Sequence, residues 1–146
     1  MTEYNKSNKI ETINISKVSK TIINKTNTII NKKTYTPNDF QILSDMICKT
    51  LRIENLPIKL KGARPTSNRG TTHGTYTRNI NKKTFFITLY GITPKTKKIV
   101  APKTLIKTLI HEIMHHYDFE KLGFNSSNHT TGFYKRISFI EKMIFI

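Results

Sequence analysis

The sequence has one cysteine, no tryptophan and no long hydrophobic run. Cys48 alone cannot form an internal disulfide or belong to a zinc ribbon of paired cysteines. We expect it to be a small buried residue on a helix. No apolar stretch approaches the roughly 18 residues that a membrane span needs, and the polar start, residues 1–9, is not that of a secretory signal. The sequence therefore predicts an intracellular protein that is neither secreted nor bound to a membrane.

Acidic residues are also scarce, with 9 Asp and Glu against 25 Lys and Arg and a formal net charge of +16. Such an excess favours phosphate-rich partners, because each neutralised phosphate releases counterions. DNA is therefore considered as an electrostatic partner. The chain is also rich in Asn, Ile and Thr, and a bias in coding composition produces the same surplus of lysine. The charge leaves both explanations open, and the oligomeric state is not predicted.

The length of 146 residues, 36% of them hydrophobic, suits one domain with a modest core. Residues 1–34 consist mainly of Lys, Asn, Ser and Thr with isolated isoleucine pairs, and no periodic pattern lasts. We therefore expect residues 1–34 to be a loosely ordered basic extension. Residues 35–146 are predicted to form the folded domain.

The first predicted helix of this domain begins at Thr36-Pro37-Asn38-Asp39. Thr36 suits the N-cap, proline suits the first turn, and Asp39 lies near the positive end of the helix dipole. Apolar residues at helical spacing predict one buried face. They are Phe40, Leu43, Met46, Ile47 and Leu51.

Three extended segments and two helices are predicted after this helix. Residues 58–61, 75–79 and 84–90 predict a small antiparallel sheet with a loop at 62–74, and the last of these strands is either an edge or the centre. A second helix is predicted from Pro102 to Leu122, capped by Gly123, and a third after Thr130. The predicted class is α+β: one helix, a three-stranded antiparallel sheet, then two helices.

The most informative motif is His111-Glu112-Ile113-Met114-His115 on the second of these helices. Histidines four residues apart differ by only about 40° around a helix, so both imidazoles can reach one metal ion. The spacing is typical of zinc hydrolases, in which zinc lowers the pKa of a bound water and the glutamate accepts its proton. We predict His111 and His115 as ligands of one Zn²⁺ ion and Glu112 as the catalytic base.

A catalytic zinc site usually has three protein ligands. His129 lies fourteen residues after His115, past the predicted helix end at Gly123, and a return loop could bring it to the metal. Glu141 on the last helix and His73 in the long loop are the alternatives, in that order. Glu120 and His116 are poorly aimed for this role.

The stretch from Thr108 to His116, followed by His129-Thr-Thr-Gly132-Phe133-Tyr134-Lys135-Arg136, resembles the SprT-like zinc metallopeptidases, the family of Spartan-type protease domains. The resemblance is clearest over about residues 74–140. It implies a zincin-like domain with one zinc ion, with His111, His115 and His129 as ligands and Glu112 as the base. It also implies proteolysis of proteins bound or crosslinked to DNA.

Several roles stay open at the level of sequence. Asp118 lies on the metal side of its helix, where it either orients a ligand imidazole or is a surface acid. Tyr76, Tyr90 and Tyr134 either polarise a substrate carbonyl or pack in the core. The predicted function is a zinc-dependent metalloendopeptidase acting on a protein or peptide. The alternative is a basic nucleic-acid-binding module with a structural or degenerate zinc site.

Overall fold

The structure is a computed structural model that describes residues 1–64 and 73–146. Residues 65–72, within the loop predicted at 62–74, lie outside the described residues. The described part has five helices and a three-stranded mixed sheet, so the α+β class is confirmed. The elements in chain order are α1 (Glu3–Lys9), α2 (Lys20–Ile30), α3 (Pro37–Leu51), β1 (Ile58–Ala63), β2 (Gly74–Asn79), β3 (Thr84–Ile92), α4 (Pro102–Glu120) and α5 (Thr131–Ile144).

The predicted helix boundaries in residues 35–146 agree closely with the structure. Thr36 caps α3 in a capping box, in which its side chain accepts from the Asp39 amide and the Asp39 side chain accepts from the Thr36 amide. Thr130 caps α5 by accepting from the Phe133 amide. Gly123, at φ 68°, follows the end of α4 in the left-handed region that glycine adopts without strain. These capping residues determine where α3 and α5 begin and where α4 ends.

The prediction of an all-antiparallel sheet is wrong. The strand order is β1-β3-β2, with β2 antiparallel and β1 parallel to β3. β1 and β3 both run opposite to β2. Because β3 lies between β1 and β2 in the sheet, β1 pairs with β3, and this pair is parallel. Ile87 and Leu89 of β3 are fully buried, which favours the central position, and the more polar β2 takes an edge.

Residues 1–34 are more ordered than their composition predicts. They contain α1 and α2, and Ile13, Val18, Ile22 and Ile29 belong to the same hydrophobic core as the rest of the chain. Ile22 and Ile29 are seven residues apart, so both lie on one face of α2. The sequence did not predict this helix, because the polar residues between the isoleucines obscured the pattern of its apolar face.

The helix with the histidine motif is central to the packing. α4 packs against β2 and β3 on one side and against α5 on another, and it also contacts α2 and α3. Cys48 of α3 is fully buried, as predicted, and burial raises the pKa of its thiol to about 12. Within residues 1–64 and 73–146, none of the helices has the length and apolarity needed to cross a membrane.

Candidate metal centre

Helix α4 presents His111, Glu112 and His115 beside one another at the edge of a cleft. Its opposite side is buried among the core residues that the sequence predicts, Leu105, Ile106, Leu109, Ile113 and Tyr117. His111 and His115 are half-buried. The helix therefore fixes both imidazoles through its packing and leaves their faces open to the cleft.

His129 reaches the same place from residues 121–130, which we call the ligand loop. The loop turns back after α4, where the Phe124 amide donates to the Asp118 carbonyl at 3.0 Å. The Nε2 atom of His129 lies 3.3 Å from Nε2 of His111 and 3.1 Å from Nε2 of His115. The candidate ligand atoms of the three histidines all lie within 4.8 Å of one another. The three residues are thus close enough to hold one metal ion.

The donor set fits zinc. At Zn–N distances near 2.0–2.1 Å, two nitrogens of a tetrahedral site are about 3.3 Å apart. Nε2 of His129 is 3.3 Å from that of His111 and 3.1 Å from that of His115. Burial and the neighbouring histidines lower the pKa of His111 to about 4 and that of His115 to about 3. Both imidazoles are therefore neutral at pH 7, which is the form that binds a metal.

Phe133, in the first turn of α5, forms the floor of the centre. Its ring centroid lies 5.2, 4.7 and 5.3 Å from those of His111, His115 and His129, and the side chain is fully buried. One rigid apolar ring thus restricts the orientation of all three imidazoles. It also removes water from their inner side, which strengthens the electrostatic interactions there.

A buried hydrogen-bond chain holds His115 from behind. Nδ1 of His115 lies 2.7 Å from the Ser127 hydroxyl, which donates to Asp118 at 2.8 Å. Because the single Ser127 proton goes to Asp118, Nδ1 of His115 must be the donor to Ser127, and Nε2 keeps its lone pair toward the centre. Asp118 is fully buried and accepts from Arg136 at 2.9 Å. Asp118 is thus not a surface acid, and it acts on His115 through Ser127.

Glu112 is 7% exposed, between the two motif histidines. Burial raises its pKa to about 7, and the positive charge of Arg64 opposes that rise. It lines two adjoining hollows of about 400 and 480 Å³ that share His111, Glu112 and Gly74. A carboxyl group that is poised between its charged and neutral forms beside a cleft of this size is suited to proton transfer.

The alternative third ligands are outside the cluster of three histidines in the described part of the chain. Glu141 and His73 line the larger hollow beside His111. His116 is fully buried, and its Nε2–H donates to the Glu54 carbonyl at 2.7 Å. Its Nδ1 therefore accepts from the Tyr76 hydroxyl at 2.9 Å. His116 is a buried residue that points away from the cluster of three histidines.

The three candidate tyrosines differ in what their hydroxyls can do. The Tyr76 hydroxyl already donates to His116 and accepts from Arg78 at 3.1 Å. The guanidinium carbon of Arg64 lies over the Tyr90 ring, 5.9 Å from the ring centroid. Tyr134 is half-exposed, and its ring centroid is 6.1 Å from that of His111 and 5.7 Å from that of His129. Of these tyrosines, Tyr134 is the one whose ring lies against two of the clustered histidines.

Sequence reasoning assigned no role to two members of this centre, Ser127 and Arg136. Arg136 had a readable signal, because it follows Phe133 by three residues and precedes Ile140 by four, on the apolar face of α5. A charge in that position indicates a buried partner. Ser127 had no signal, since its role depends on how the ligand loop turns.

Comparisons with protein-family models, curated proteins and solved structures found no significant match. The geometry of this centre therefore carries the functional inference.

Proposed function

We propose that the protein is a zinc-dependent metalloendopeptidase that hydrolyses peptide bonds. The observation that carries this proposal is the convergence of three imidazoles, from His111, His115 and His129, beside the buried Glu112 carboxyl group. A purely structural zinc site is normally closed by four protein ligands, whereas a catalytic one has three. Three histidines at the edge of a cleft favour the catalytic type.

Each residue has a distinct part in the proposed reaction. A zinc ion held by the three histidines would lower the pKa of a coordinated water and polarise the substrate carbonyl. Glu112 would accept a proton from the attacking water and deliver it to the leaving amine, because its carboxyl group lies between the two motif histidines and lines the cleft. Ser127 and Asp118 would keep Nε2 of His115 unprotonated.

Tyr134 is the proposed donor to the substrate oxygen that gains negative charge in the transition state. Its ring stands against His111 and His129, and its side chain lines the larger hollow with Glu112. A hydroxyl aimed at such an oxygen stabilises the transition state more than the bound substrate. This role suits Tyr134 better than Tyr76, whose hydroxyl is already bonded on both sides.

The proposed family is the SprT-like metallopeptidases, with a zincin-like domain. The support is the sequence stretch around the motif, the ligand at His129, and the short connection from His129 to the glycine and aromatic residues that begin α5. Substrates bound or crosslinked to DNA are part of the same proposal. The net charge of +16 supports an electrostatic approach to such complexes.

The alternative is a basic nucleic-acid-binding module with a structural or degenerate zinc site, which the charge also favours. Glu112 separates the two functions. A structural site gains nothing from a carboxyl group buried at 7% exposure beside its ligands, because burial of an acid costs free energy. A peptidase needs that group for proton transfer.

The test is Glu112→Gln, with Glu120→Gln as the matched control. Glu120 lies on the same helix but is paired with Arg78 at 3.3 Å, outside the cluster of three histidines. We expect Glu112→Gln to retain zinc and to lose at least about 100-fold in the rate of casein cleavage, the range for loss of a general base. Glu120→Gln should cleave at the unsubstituted rate. Equal cleavage by both variants would remove the proposed base.

A further inference from the structure

The N-terminal helix α1 is packed against the segment that carries the third histidine. α1 contacts α5, and its side chains reach the ligand loop, residues 121–130, that ends at the cap of α5. The segments are more than 100 residues apart in sequence. The residues of α1, which take no direct part in the metal centre, therefore lie directly behind one of its ligands.

Three side chains of α1 hold this segment before and after His129. The Glu3 carboxylate accepts from the Asn125 amide, at 3.1 Å to Oε1 and 2.9 Å to Oε2. The Ser7 hydroxyl is bonded to the Thr130 hydroxyl at 3.0 Å. In addition, Asn8 Oδ1 accepts from the Gly132 amide at 3.2 Å. The contacts fall four residues before His129, one after it and three after it, so α1 spans the ligand position.

Arg136 joins α1 to the hydrogen-bond chain behind His115. Its guanidinium donates to the Ser7 and Ile10 carbonyls at 2.8 and 2.7 Å, to the Ser7 hydroxyl at 3.1 Å and to Asp118 at 2.9 Å. Arg136 and Asp118 are both fully buried. The carbonyls at the end of α1 thus solvate a buried cation that also fixes Asp118, and through it Ser127 and His115.

The backbone at Gly132 shows how closely α1 approaches. A Cβ atom at this position would overlap the Ser7 carbonyl oxygen and lie 2.6 Å from the Asn8 carbonyl oxygen. Only glycine permits this approach without a shift of the backbone. The close fit indicates that α1 has a defined seat at the start of α5.

A seven-residue helix is too short to be stable alone, so α1 owes its order to these contacts. Coupling between two parts of a molecule is reciprocal. If the ligand loop orders α1, then α1 orders the ligand loop to the same extent. A metal site whose third ligand is on a loop gains affinity when that loop is held in place before binding.

We propose that α1 is a clamp for the ligand loop, in which Glu3, Ser7 and Asn8 are positioning residues for the third metal ligand, His129. The proposal rests on the proposed metal site and deepens it. Loss of the clamp lowers metal affinity because the loop must then be ordered during binding. It leaves the three histidines themselves unchanged.

The test compares Glu3→Ala and Glu3→Gln with Glu11→Ala in the full chain. Glu11 is the matched control, because this N-terminal glutamate pairs with Lys135 of α5 at 3.3 Å, whereas Glu3 bonds to Asn125 of the ligand loop. Zinc affinity is measured by competition with a chromophoric chelator. Hydrogen exchange of the Asn125 amide is measured in the metal-free protein. Thermal unfolding of each metal-free variant checks its fold.

We expect Glu3→Ala to weaken zinc binding about tenfold, the lower end of the effect of residues that support metal ligands. Exchange at Asn125 should accelerate in the same variant. Glu3→Gln keeps one acceptor oxygen and should recover part of the affinity, and Glu11→Ala should match the unsubstituted chain. Gly132→Ala, which displaces α1 by the overlap described above, should weaken zinc binding further if it folds.

The outcomes separate this proposal from the proposed function. Absence of zinc binding by the unsubstituted chain would overturn the metal centre, while the exchange measurement would still test the clamp. Zinc binding and Asn125 exchange that are the same in Glu3→Ala and Glu11→Ala would overturn the clamp. In that case the metal centre would stand without it.

Discussion

Asp39 at the junction of α2 and α3, and Glu112 in the cleft, are nearly equal in exposure at 4% and 7%. Their chemistry is opposite. Burial raises the pKa of both acids. At Asp39 this effect is outweighed by Lys32 at 2.6 Å, the Thr36 amide and Lys25 at 3.2 Å, which together lower the pKa to about 2. At Glu112 only Arg64 opposes burial, and the pKa rises to about 7.

The difference separates a scaffold from a site. Every polar group around Asp39 favours its charged form, so that this carboxylate stabilises the start of α3 and has no proton to exchange near neutral pH. Glu112 has the reverse environment, which costs stability and makes the proton exchangeable. Two acids of similar solvent exposure thus differ in function because of their partners and because protein surrounds Glu112 more deeply.

The largest effect should come from removing a ligand on the cleft side. His129→Ala leaves two imidazoles at the centre, and we expect zinc affinity to fall by more than about 100-fold, beyond the range for supporting residues. His73→Ala is the control, since His73 lines the cleft outside the histidine cluster. Zinc content after dialysis is the measurement. Full zinc occupancy in His129→Ala would transfer the third position to Glu141 or His73.

Asp39→Asn should affect the scaffold and leave the cleft unchanged. The folded pKa of Asp39 is below its unfolded value, so its stabilisation is present above about pH 4 and is lost as the pH falls toward 2. A shift from 3.8 to about 2 corresponds to about 2 kcal/mol at pH 7. Urea unfolding at pH 7 and pH 3 measures this loss, and zinc affinity should not change.

The matched control is Asp45→Asn, which changes another aspartate of α3, one bonded to the Gln41 side chain. Equal stability of the two variants at pH 7 would show that the lysine contacts of Asp39 contribute nothing. Weaker zinc binding in Asp39→Asn would contradict the separation of the two regions.

How far the sequence predicts a feature of this fold depends on how local its causes are. The start of α3 and the motif of α4 depend on neighbouring residues, so capping residues and helical spacing were sufficient. The parallel pairing of β1 with β3 depends on which strand is buried most deeply, a tertiary property. The pairs Ile22-Ile23 and Ile29-Ile30 recur after two helical turns, but their polar neighbours masked this signal of α2.

Within the centre, the sequence predicted the histidines and could not predict what supports them. His111 and His115 follow from the motif, and His129 follows from a loop long enough to return. Ser127 and Glu3 act through contacts across the ligand loop and across the whole chain, respectively. Such contacts leave no periodic trace, because each depends on backbone paths that only the folded chain defines.

The smallest expected effect comes from Ser127, the residue that links Asp118 to His115. Ser127→Ala removes the acceptor of the His115 Nδ1–H at 2.7 Å and frees the ring to adopt the other tautomer, in which Nε2 carries the proton. That tautomer cannot bind a metal through Nε2. We therefore expect about a tenfold loss of zinc affinity, the lower end for such supporting residues. The free energy of unfolding should change less than in Asp39→Asn.

Ser126→Ala tests the same loop without the hydrogen bond to a ligand, since the Ser126 hydroxyl contacts only Asn128 among the described residues. Ser127→Thr retains a hydroxyl and should recover most of the affinity. Identical zinc affinities for Ser127→Ala and Ser126→Ala would mean that Asp118 does not reach the metal centre through Ser127. The buried pair of Asp118 and Arg136 would then belong with Asp39 to the scaffold, and Phe133 would support the three histidines without that pair.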